Sequence, residues 1–335
     1  MFGCLQPSGC KKKEDLYVNL AADLEQIIAE QTQIDPSFKT QRCYVKLSAP
    51  YIFKELVLHQ GYELKDFCIR SVNNILNRLG YTLKKVLKTK PLKKIPQTDA
   101  IFENVKKQHQ KATDNPRILR ISLDTKAKVK VGNLSRGGYS RLQNAPVACD
   151  HDQHWDAVLV PLGIFEITND QVFLTFGNSK ETSDFIVDGL ELWWIERQFL
   201  SQDYDLLMID LDNGKPVAGN TRRFIQRMVD FSKQIQLPIQ LVYYPPYHSK
   251  YNPVERVWAA LENYWNSMIL DTIPNTLKIA AQMTWKGLNP IVSYLNKTYV
   301  SSDKISPREF KELDKYLTRN PDLMKWDIRI NYHFG

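Results

Sequence analysis

Residues 206–212 read LLMIDLD, and this run decides the fold class. Its apolar residues are nearly continuous, which is typical of a central strand that is buried on both faces of a sheet. Downstream, residues 221–235 carry a helical pattern, residues 239–246 carry a second strand pattern, and a further helix begins at Pro253. Strands that alternate with helices in this way predict an α/β sheet.

Four more strand patterns lie upstream of this run. They are RILRISLD (117–124), KVKVGNL (128–134), DAVLVPLGIFEI (156–167) and QVFLTFG (171–177), and the last two are joined by a turn at Asn169-Asp170. A long helical pattern over residues 182–200 then leads into the buried strand. This order predicts a mixed sheet that is covered by helices on both faces.

Three acidic residues mark the ends of these elements. Asp124 ends the first strand, Asp212 ends the buried strand, and Glu255 lies in the first turn of the helix that begins at Pro253. Ligands at the carboxyl ends of neighbouring strands converge in an open α/β sheet. Converging carboxylates repel one another unless a hard cation neutralises them, and Mg²⁺ takes oxygen ligands. Two such ions can activate a water or hydroxyl and stabilise the leaving oxygen in phosphodiester cleavage.

Each acid taken alone also fits a structural role. Asp124 fits a turn cap, and Asp212 followed by Asn-Gly fits ordinary turn chemistry. An acid at the position of Glu255 is favoured by the helix dipole. Asp210 competes with Asp212, because residues two apart point to the same face of a strand. Asp212 is preferred because it lies nearer the end of the strand.

The segment 48–79 predicts a helix-turn-helix. Ser48 caps a helix that has Pro50 in its first turn, and a second helix ends at Gly80. Short polar side chains and arginines, which suit base edges and phosphates, lie on the second helix: Arg70, Ser71, Asn73, Asn74, Asn77 and Arg78. A small helical bundle with a solvated polar face would show the same pattern.

The balance of charge favours a polyanionic partner. The chain has 45 Lys and Arg against 37 Asp and Glu, which gives a net charge of +8. The stretch 78–94 is rich in cations and contains no acid. We expect four of its lysines to follow a DNA backbone: Lys84, Lys85, Lys88 and Lys90. The loop 135–141 either offers Arg136 and Arg141 to phosphates or is a solvated hairpin loop.

The composition of the chain excludes several classes of protein. Hydrophobic residues make up 43% of the chain and charged residues 24%, which excludes a mainly disordered chain. No stretch approaches the ~20 apolar residues that cross a bilayer, and no apolar leader precedes the first helix. Five scattered cysteines predict reduced thiols. Residues 149–156, CDHDQHWD, look like a metal box, but their place between two strands favours a turn.

Several of these segments together resemble the DDE transposases of bacterial insertion sequences. They are ISLDTKAKVKVGN (121–133), LLMIDLDNG (206–214) and PPYHSKYNPVERVW (245–258), and the similarity extends from about residue 40 to the C-terminus. The resemblance is to the Rhodopirellula-type, or ISAzo-type, family. It implies a ribonuclease H-like catalytic domain of α/β class, preceded by an all-α helix-turn-helix DNA-binding region.

The resemblance also implies an activity and its residues. Asp124, Asp212 and Glu255 match the metal ligands of the catalytic triad, which would hold two Mg²⁺ ions, with Mn²⁺ able to substitute. Lys250 would contact a phosphate near the scissile bond, and His248 would orient a substrate oxygen. The implied reaction is cleavage of DNA at transposon ends followed by strand transfer into a target.

The implied organisation has four parts. They are an N-terminal helical segment (1–47), the helix-turn-helix region (48–95), a linker helix (96–116) and the catalytic domain (117–335). The partners would be double-stranded DNA, as transposon ends and as target, and further copies of the chain in a homodimer or larger assembly on DNA. We expect a cytoplasmic, nucleoid-associated prokaryotic protein with no membrane partner.

Other functions stay open at this point. A ribonuclease H-like nuclease would share the acids and Mg²⁺ but would lack strand transfer. A retired transposase would bind DNA as a regulator. A sugar kinase or ATPase would need a phosphate-binding glycine motif, and the sequence contains no GxxxxGK[ST].

Overall fold

The computed structural model describes residues 12–30, 33–34, 43–44, 48–63, 65, 68–82, 95–139, 143–144, 147–149, 154–200, 203–300 and 305–333. Five cationic residues expected to contact DNA lie outside the described residues: Lys84, Lys85, Lys88, Lys90 and Arg141. The middle of the segment 149–156 lies outside them as well. The chain divides into two compact units, residues 1–89 and residues 90–335, which are described separately.

The first unit contains helices and a short antiparallel strand pair. Its elements are α1 (Lys13–Leu16), α2 (Leu20–Glu30), β1 (Gln33–Ile34), β2 (Cys43–Tyr44), α3 (Ala49–His59) and α4 (Ile69–Arg78). Apolar residues at helical spacing join α2, α3 and α4 in one core: Leu20, Leu24, Ile27, Ile28, Ile52, Leu56, Val72, Ile75 and Leu76. The Ser48 hydroxyl accepts a hydrogen bond from Tyr51 N–H, so the predicted cap of α3 is confirmed.

The second unit is built on a mixed sheet with helices around it. Its strands are β3 (Ile118–Thr125), β4 (Val129–Val131), β5 (Ala157–Glu166), β6 (Gln171–Gly177), β7 (Leu206–Leu211), β8 (Ile239–Tyr243), β9 (Ile291–Leu295), β10 (Leu317–Arg319) and β11 (Asp327–Ile330). Its α-helices are α5 (Thr98–Asp114), α6 (Ser183–Glu196), α7 (Arg222–Ile235), α8 (Val254–Trp265), α9 (Ile273–Gln282) and α10 (Pro307–Leu313).

The strand order brings the ends of β3 and β7 together. Across the sheet the order is β10-β11-β8-β7-β3-β5-β6-β9, and β4 pairs with β5 beside this path. Strands β3, β7 and β8 are mutually parallel, while β5 is antiparallel to β3. The carboxyl ends of the neighbouring strands β3 and β7 therefore lie at the same edge of the sheet. Asp124 and Asp212 belong to these two ends.

Two apolar cores cover the two faces of the sheet. Successive residues of a strand point to opposite faces. Phe173 of β6 accordingly packs in the core that includes α6 and α7, and Leu174 packs in the core that includes α8 and α9. The predicted mixed sheet with helices on both faces, preceded by N-terminal helices, is confirmed. Within the described part of the chain, no helix is both long enough and apolar enough to cross a membrane.

Candidate active site

Two of the three predicted acids line one cleft at the carboxyl edge of the sheet. Asp124, near the end of β3, and Asp212, which directly follows β7, both border a cavity of about 260 Å³. Thr125, Glu181 and Gly214 are among the other residues that line it. The cleft therefore joins strand ends that are far apart in the sequence.

The third acid, Glu255, is coupled to this cleft through its charge. It lies in the first turn of α8. The pKa of the Asp124 carboxyl is raised to about 8, first because the group is buried, and then because the charges of Asp212 and Glu255 lie nearby. Trp258 Nε1–H donates to Asp124 Oδ2 at 3.3 Å, which acts in the opposite direction and lowers that pKa. Burial and the nearby charges of Asp212 and Glu255 thus disfavour ionisation of Asp124 in the absence of a cation.

A buried polar network fixes the start of α8 against β3. Ser122 Oγ accepts a hydrogen bond from Val254 N–H at 2.9 Å and donates one to Asn252 Oδ1. Asn252 Nδ2 in turn donates to the backbone oxygen of Leu123 at 3.0 Å. Both side chains are buried. The network therefore holds the first turn of α8, which carries Glu255, beside the strand that carries Asp124.

Ser122→Ala is expected to lower the free energy of unfolding by about 1–3 kcal/mol, because Val254 N–H and Asn252 Oδ1 would lose their buried partner. Denaturant unfolding of the full chain measures this change. Ser249→Ala, at an exposed serine just before α8, is the matched control and should leave the unfolding midpoint unchanged. Equal midpoints for the two variants would contradict the role of the network.

Gly163 leaves room for the indole that contacts Asp124. It is paired with Asp124 across the β3–β5 ladder. A Cβ atom at this position would lie 2.6 Å from the Trp258 ring, so a side chain is not tolerated without movement. Trp258 follows Glu255 by three residues and therefore shares a face of α8 with it. The three-residue spacing between Glu255 and Trp258 is visible in the sequence and is the signal that could have indicated this contact.

The chemistry of the donor set fits a hard divalent cation. Carboxylate and amide oxygens are the ligands that Mg²⁺ prefers. Beside Asp212, the amide oxygen of Asn213 is buried and has no hydrogen-bond partner, which leaves a further oxygen donor. Within the described residues, however, no three His, Cys, Asp or Glu side chains are grouped closely enough to hold a metal ion. Ligation by the triad would thus need side-chain movement, or ligands divided between two ions.

Asp210, the competing acid, has a different environment from Asp212. It is fully buried. Its carboxylate accepts from Arg120 Nη2 at 2.6 Å and lies 3.0 Å from His109 Nε2. Asp210 is therefore occupied by a buried ion pair between β3, β7 and α5, whereas Asp212 borders the open cleft.

The two residues expected to assist the acids lie in the loop before α8. His248 is only 4% exposed, and its Nδ1 is 2.7 Å from the backbone oxygen of Pro246. Its ring stacks on Tyr251 and meets Phe102 of α5 edge to face. Lys250 is exposed, with its Nζ 5.3 Å from the centre of the Tyr251 ring. The substrate contacts of His248 and Lys250 stay predictions.

The residues expected to contact DNA divide by environment. On α4, five are exposed (Arg70, Asn73, Asn74, Asn77 and Arg78), while Ser71 is partly buried. Arg78 is held by Glu14 through two hydrogen bonds of 2.7 Å each. In the second unit, Arg136 Nη2 donates to Glu262 Oε2 at 2.7 Å. Any contact of Arg78 or Arg136 with DNA would thus be made by an arginine that is also paired with a glutamate.

Glu181 also borders the cleft, although no sequence pattern had indicated it. Its Oε1 accepts a hydrogen bond from Thr125 Oγ1 at 2.8 Å, and it borders the same cavity as Asp124 and Asp212. In the sequence it directly precedes Thr182, the N-cap of α6. An acid at that place is favoured by the helix dipole alone. The local sequence therefore does not distinguish an acid that stabilises the start of α6 from one that lines the cleft.

The raised pKa of Asp124 makes the stability of the metal-free protein depend on pH. An acid whose pKa rises from 3.8 to about 8 on folding binds its proton more tightly in the folded state. Its contribution to the free energy of unfolding therefore falls as pH rises between those two values. We expect Asp124→Asn, which stays neutral, to gain thermal stability relative to wild type on going from about pH 5 to about pH 8.5 in EDTA.

Unfolding midpoints of both proteins at the two pH values check this expectation. Glu312→Gln, at an exposed acid of α10, is the control and should differ from wild type equally at both. A difference between Asp124→Asn and wild type that does not change with pH would contradict the electrostatic coupling of the site.

Comparison with known proteins gives a family and a set of similar structures. Residues 23–332 match the model of the Rhodopirellula transposase DDE domain. The Mos1 transposase paired-end complex with left transposon end is similar at 10% identity over 82% of this chain and 72% of that chain, with a TM-score of 0.42. The Mos1 mariner paired end complex with Mn is similar at 10% identity over 83% and 72%, with a TM-score of 0.42. No curated protein matches the chain at a significant level.

The family match covers the three acids, the sheet that positions them and most of the first unit. Together with the mixed sheet and its flanking helices, it confirms the predicted α/β fold class. The chain belongs to the Rhodopirellula-type DDE transposase family.

Proposed function

We propose that this chain is a DNA transposase that binds transposon ends and catalyses Mg²⁺-dependent DNA cleavage and strand transfer. The observation that carries the proposal is that Asp124 and Asp212 border one cleft and that the charges of Asp212 and Glu255 act on Asp124, in a chain of the DDE transposase family. Burial and mutual repulsion raise the pKa of Asp124, as expected of a site that a divalent cation would neutralise. A DNA partner agrees with the net charge of +8.

In this proposal the three acids would bind the metal ions, and neighbouring side chains would position them. Asp124 and Asp212, at the ends of two neighbouring strands, would be two of the metal ligands. Glu255, in the first turn of α8, would be the third. Two Mg²⁺ ions, when bound there, would supply Lewis acidity to the attacking and leaving oxygens of a phosphodiester. The indole N–H of Trp258 orients the Asp124 carboxylate, and the Ser122–Asn252 network keeps α8 in place.

Lys250 and His248 would act on the DNA strand beside the acids. The exposed ammonium of Lys250 is free to reach a phosphate oxygen near the scissile bond. His248 is packed by Tyr251 and Phe102, so its ring orientation is held before substrate arrives. Terminal sequences would be read by the exposed face of α4, which presents Asn73, Asn74 and Asn77. The reaction needs two transposon ends brought together, which implies a dimer or larger assembly on DNA; we expect this assembly in a prokaryotic cytoplasm.

A cleavage assay tests this proposal directly. The substrate is duplex DNA from the ends that flank the coding sequence, incubated with Mg²⁺, Mn²⁺, Ca²⁺ or EDTA. We expect cutting at the ends with Mg²⁺ or Mn²⁺, none with EDTA, and joining of the cut ends to a target duplex. Asp212→Asn should abolish cutting, while Asp205→Asn, at an exposed acid just before β7, should not.

The other outcomes separate the alternatives. Specific binding without cutting in any metal would favour a regulator derived from a transposase. Metal-dependent cutting without joining would favour a ribonuclease H-like nuclease. Cutting that survives Asp212→Asn would remove this acid from the site.

A further inference from the structure

A basic pocket lies in the same unit as the acidic cleft. Its volume is about 240 Å³, and its polar lining comes from the side chains of Lys128, Lys130, Ser135 and Arg136. The two lysines are exposed on either side of the inward-facing Val129. The Nζ of Lys130 lies 3.7 Å from the centre of the Trp155 ring, and Trp155 is 41% exposed. Cations beside an exposed aromatic ring suit a nucleic-acid strand, which offers phosphates and base faces together.

The wall of this pocket is fixed by contacts with the chain that follows α8. Gly132 N–H donates to the backbone oxygen of Leu270 at 2.8 Å. Ser267 N–H donates to the backbone oxygen of Gly137 at 2.6 Å. Gly138 lies so close to Asn266 that a Cβ there would be 2.5 Å from the Asn266 side chain. The segment that carries Ser135 and Arg136 is therefore anchored at both of its ends.

Unpartnered polar atoms are concentrated around this segment. Arg136 Nε, Trp265 Nε1 and Ser267 Oγ are all buried and have no hydrogen-bond partner. Arg136 also lies over the Trp265 ring, 4.9 Å from its centre. Glu262 engages Arg136 through Nη2 alone, so the guanidinium keeps donor capacity. A buried donor without an acceptor is costly, which favours an anionic oxygen nearby.

Helix α8 connects the pocket to the acids. Glu262 binds both Lys126 and Arg136, and it follows Glu255 by seven residues, which places the two glutamates on one face of the helix. Seven residues span about 10 Å along a helix axis. Arg136 of the pocket is thus tied to the helix face that carries Glu255, about two turns further along α8.

We propose that Lys128, Lys130, Ser135 and Arg136 form a phosphate subsite that holds the DNA backbone at a phosphate other than the scissile one. The inference rests on the proposed function and adds to it a second contact with the substrate strand. The lysines and the guanidinium supply charge, and the Ser135 hydroxyl supplies a hydrogen bond to a phosphate oxygen. The ring of Trp155 offers a base of the same strand a stacking surface.

The salt dependence of DNA binding by the full chain tests the subsite. The probe is the flanking-end duplex in Ca²⁺, and the variant is Lys128→Gln/Lys130→Gln. Each lost phosphate contact should reduce the slope of log affinity against log salt by about 0.9, so we expect a reduction of nearly 2. Lys286→Gln/Lys325→Gln removes two exposed lysines elsewhere on the unit and should leave the slope unchanged. Equal slopes for the two double variants would overturn the subsite.

Neutral phosphates locate the contact on the DNA. Methylphosphonates are placed singly along the strand near the cut. At one or two positions, we expect the neutral group to weaken DNA binding by wild-type protein at least about 5-fold. At the same positions it should not weaken DNA binding by Lys128→Gln/Lys130→Gln, because that variant has already lost the contact. Losses of equal size for both proteins at every position would overturn the assignment. Unchanged DNA binding with a loss of self-association would instead assign the pocket to an acidic segment of a second copy.

The failure of the subsite is distinguishable from the failure of the proposed function. Wild-type protein that neither binds nor cuts the flanking ends contradicts both. Wild-type protein that binds and cuts, together with a lysine variant that behaves as its control does, contradicts the subsite alone. Unfolding midpoints should match among the three proteins, because all four lysines are exposed.

Discussion

Replacing Asp124 with Asn is expected to slow metal-dependent DNA cleavage by at least about 10³-fold, equivalent to about 4 kcal/mol of transition-state stabilisation. The substitution keeps the shape of the side chain and can still accept the hydrogen bond from Trp258 Nε1. It removes one negative charge from the site that we propose to hold divalent cations. Single-turnover cleavage of the flanking-end duplex in Mg²⁺ measures the effect.

DNA binding should separate this loss from unfolding. Asp124 belongs to the unit formed by residues 90–335, whereas the exposed polar face of α4 belongs to the unit formed by residues 1–89. Affinity of Asp124→Asn for the end duplex in Ca²⁺ should therefore stay within about 3-fold of wild type, a change of well under 1 kcal/mol. Asp156→Asn, at an exposed acid of the same unit, serves as the matched control. Cleavage that persists in Asp124→Asn would exclude this acid from the metal site.

Replacing Asp210 with Ala is expected to destabilise the second unit by about 3–5 kcal/mol. The carboxylate is completely buried between Arg120 and His109, and its removal leaves the Arg120 guanidinium, which is only 15% exposed, without its partner. The cost comes from an uncompensated buried charge and not from the loss of a favourable pair. Equilibrium unfolding in urea, followed by tryptophan fluorescence, measures the change.

The chain offers a matched surface pair as a control. Arg117 and Asp205 form a salt bridge close to the start of the same two strands, with more than half of each side chain exposed. Asp205→Ala should barely move the unfolding midpoint, because exposed ion pairs contribute little. Arg120→Met/Asp210→Leu should recover much of the stability lost in Asp210→Ala, since apolar residues remove the buried charge together with its partner. Equal midpoints for Asp210→Ala and Asp205→Ala would contradict this account.

The environment of Asp210 also explains why the sequence alone could not separate Asp210 from Asp212. The alternation of a strand places residues 210 and 212 on one face, so the sequence alone kept both as candidates for the site. Their separation depends on Arg120 and His109, which lie about a hundred positions upstream and reach Asp210 only through the β3–β7 pairing and the packing of α5. Asp212, chosen for its position near the strand end, borders the cleft, and its role as a metal ligand stays a prediction.

Much of the fold followed from patterns confined to short segments. The buried run at residues 206–212, the strands before it and the helices after it carry their own periodicity, so their order predicted a mixed α/β sheet. The cap at Ser48 is local in the same sense, because it involves a backbone N–H three residues away. The sequence patterns did not predict the strands β9, β10 and β11. They are only three to five residues long and lie at or near the sheet edges, where few residues carry the alternation.

The sequence by itself determined the family and the fold class and predicted the three acids, because these depend on residue types at fixed places in short segments. Only the tertiary structure decided which groups surround them. Glu181 enters the cleft through the packing of α6, and Ser122 meets Asn252 across 130 residues. The basic pocket likewise needs β4 and the end of α8 side by side. Such contacts depend on sheet order and helix packing, which no local pattern specifies.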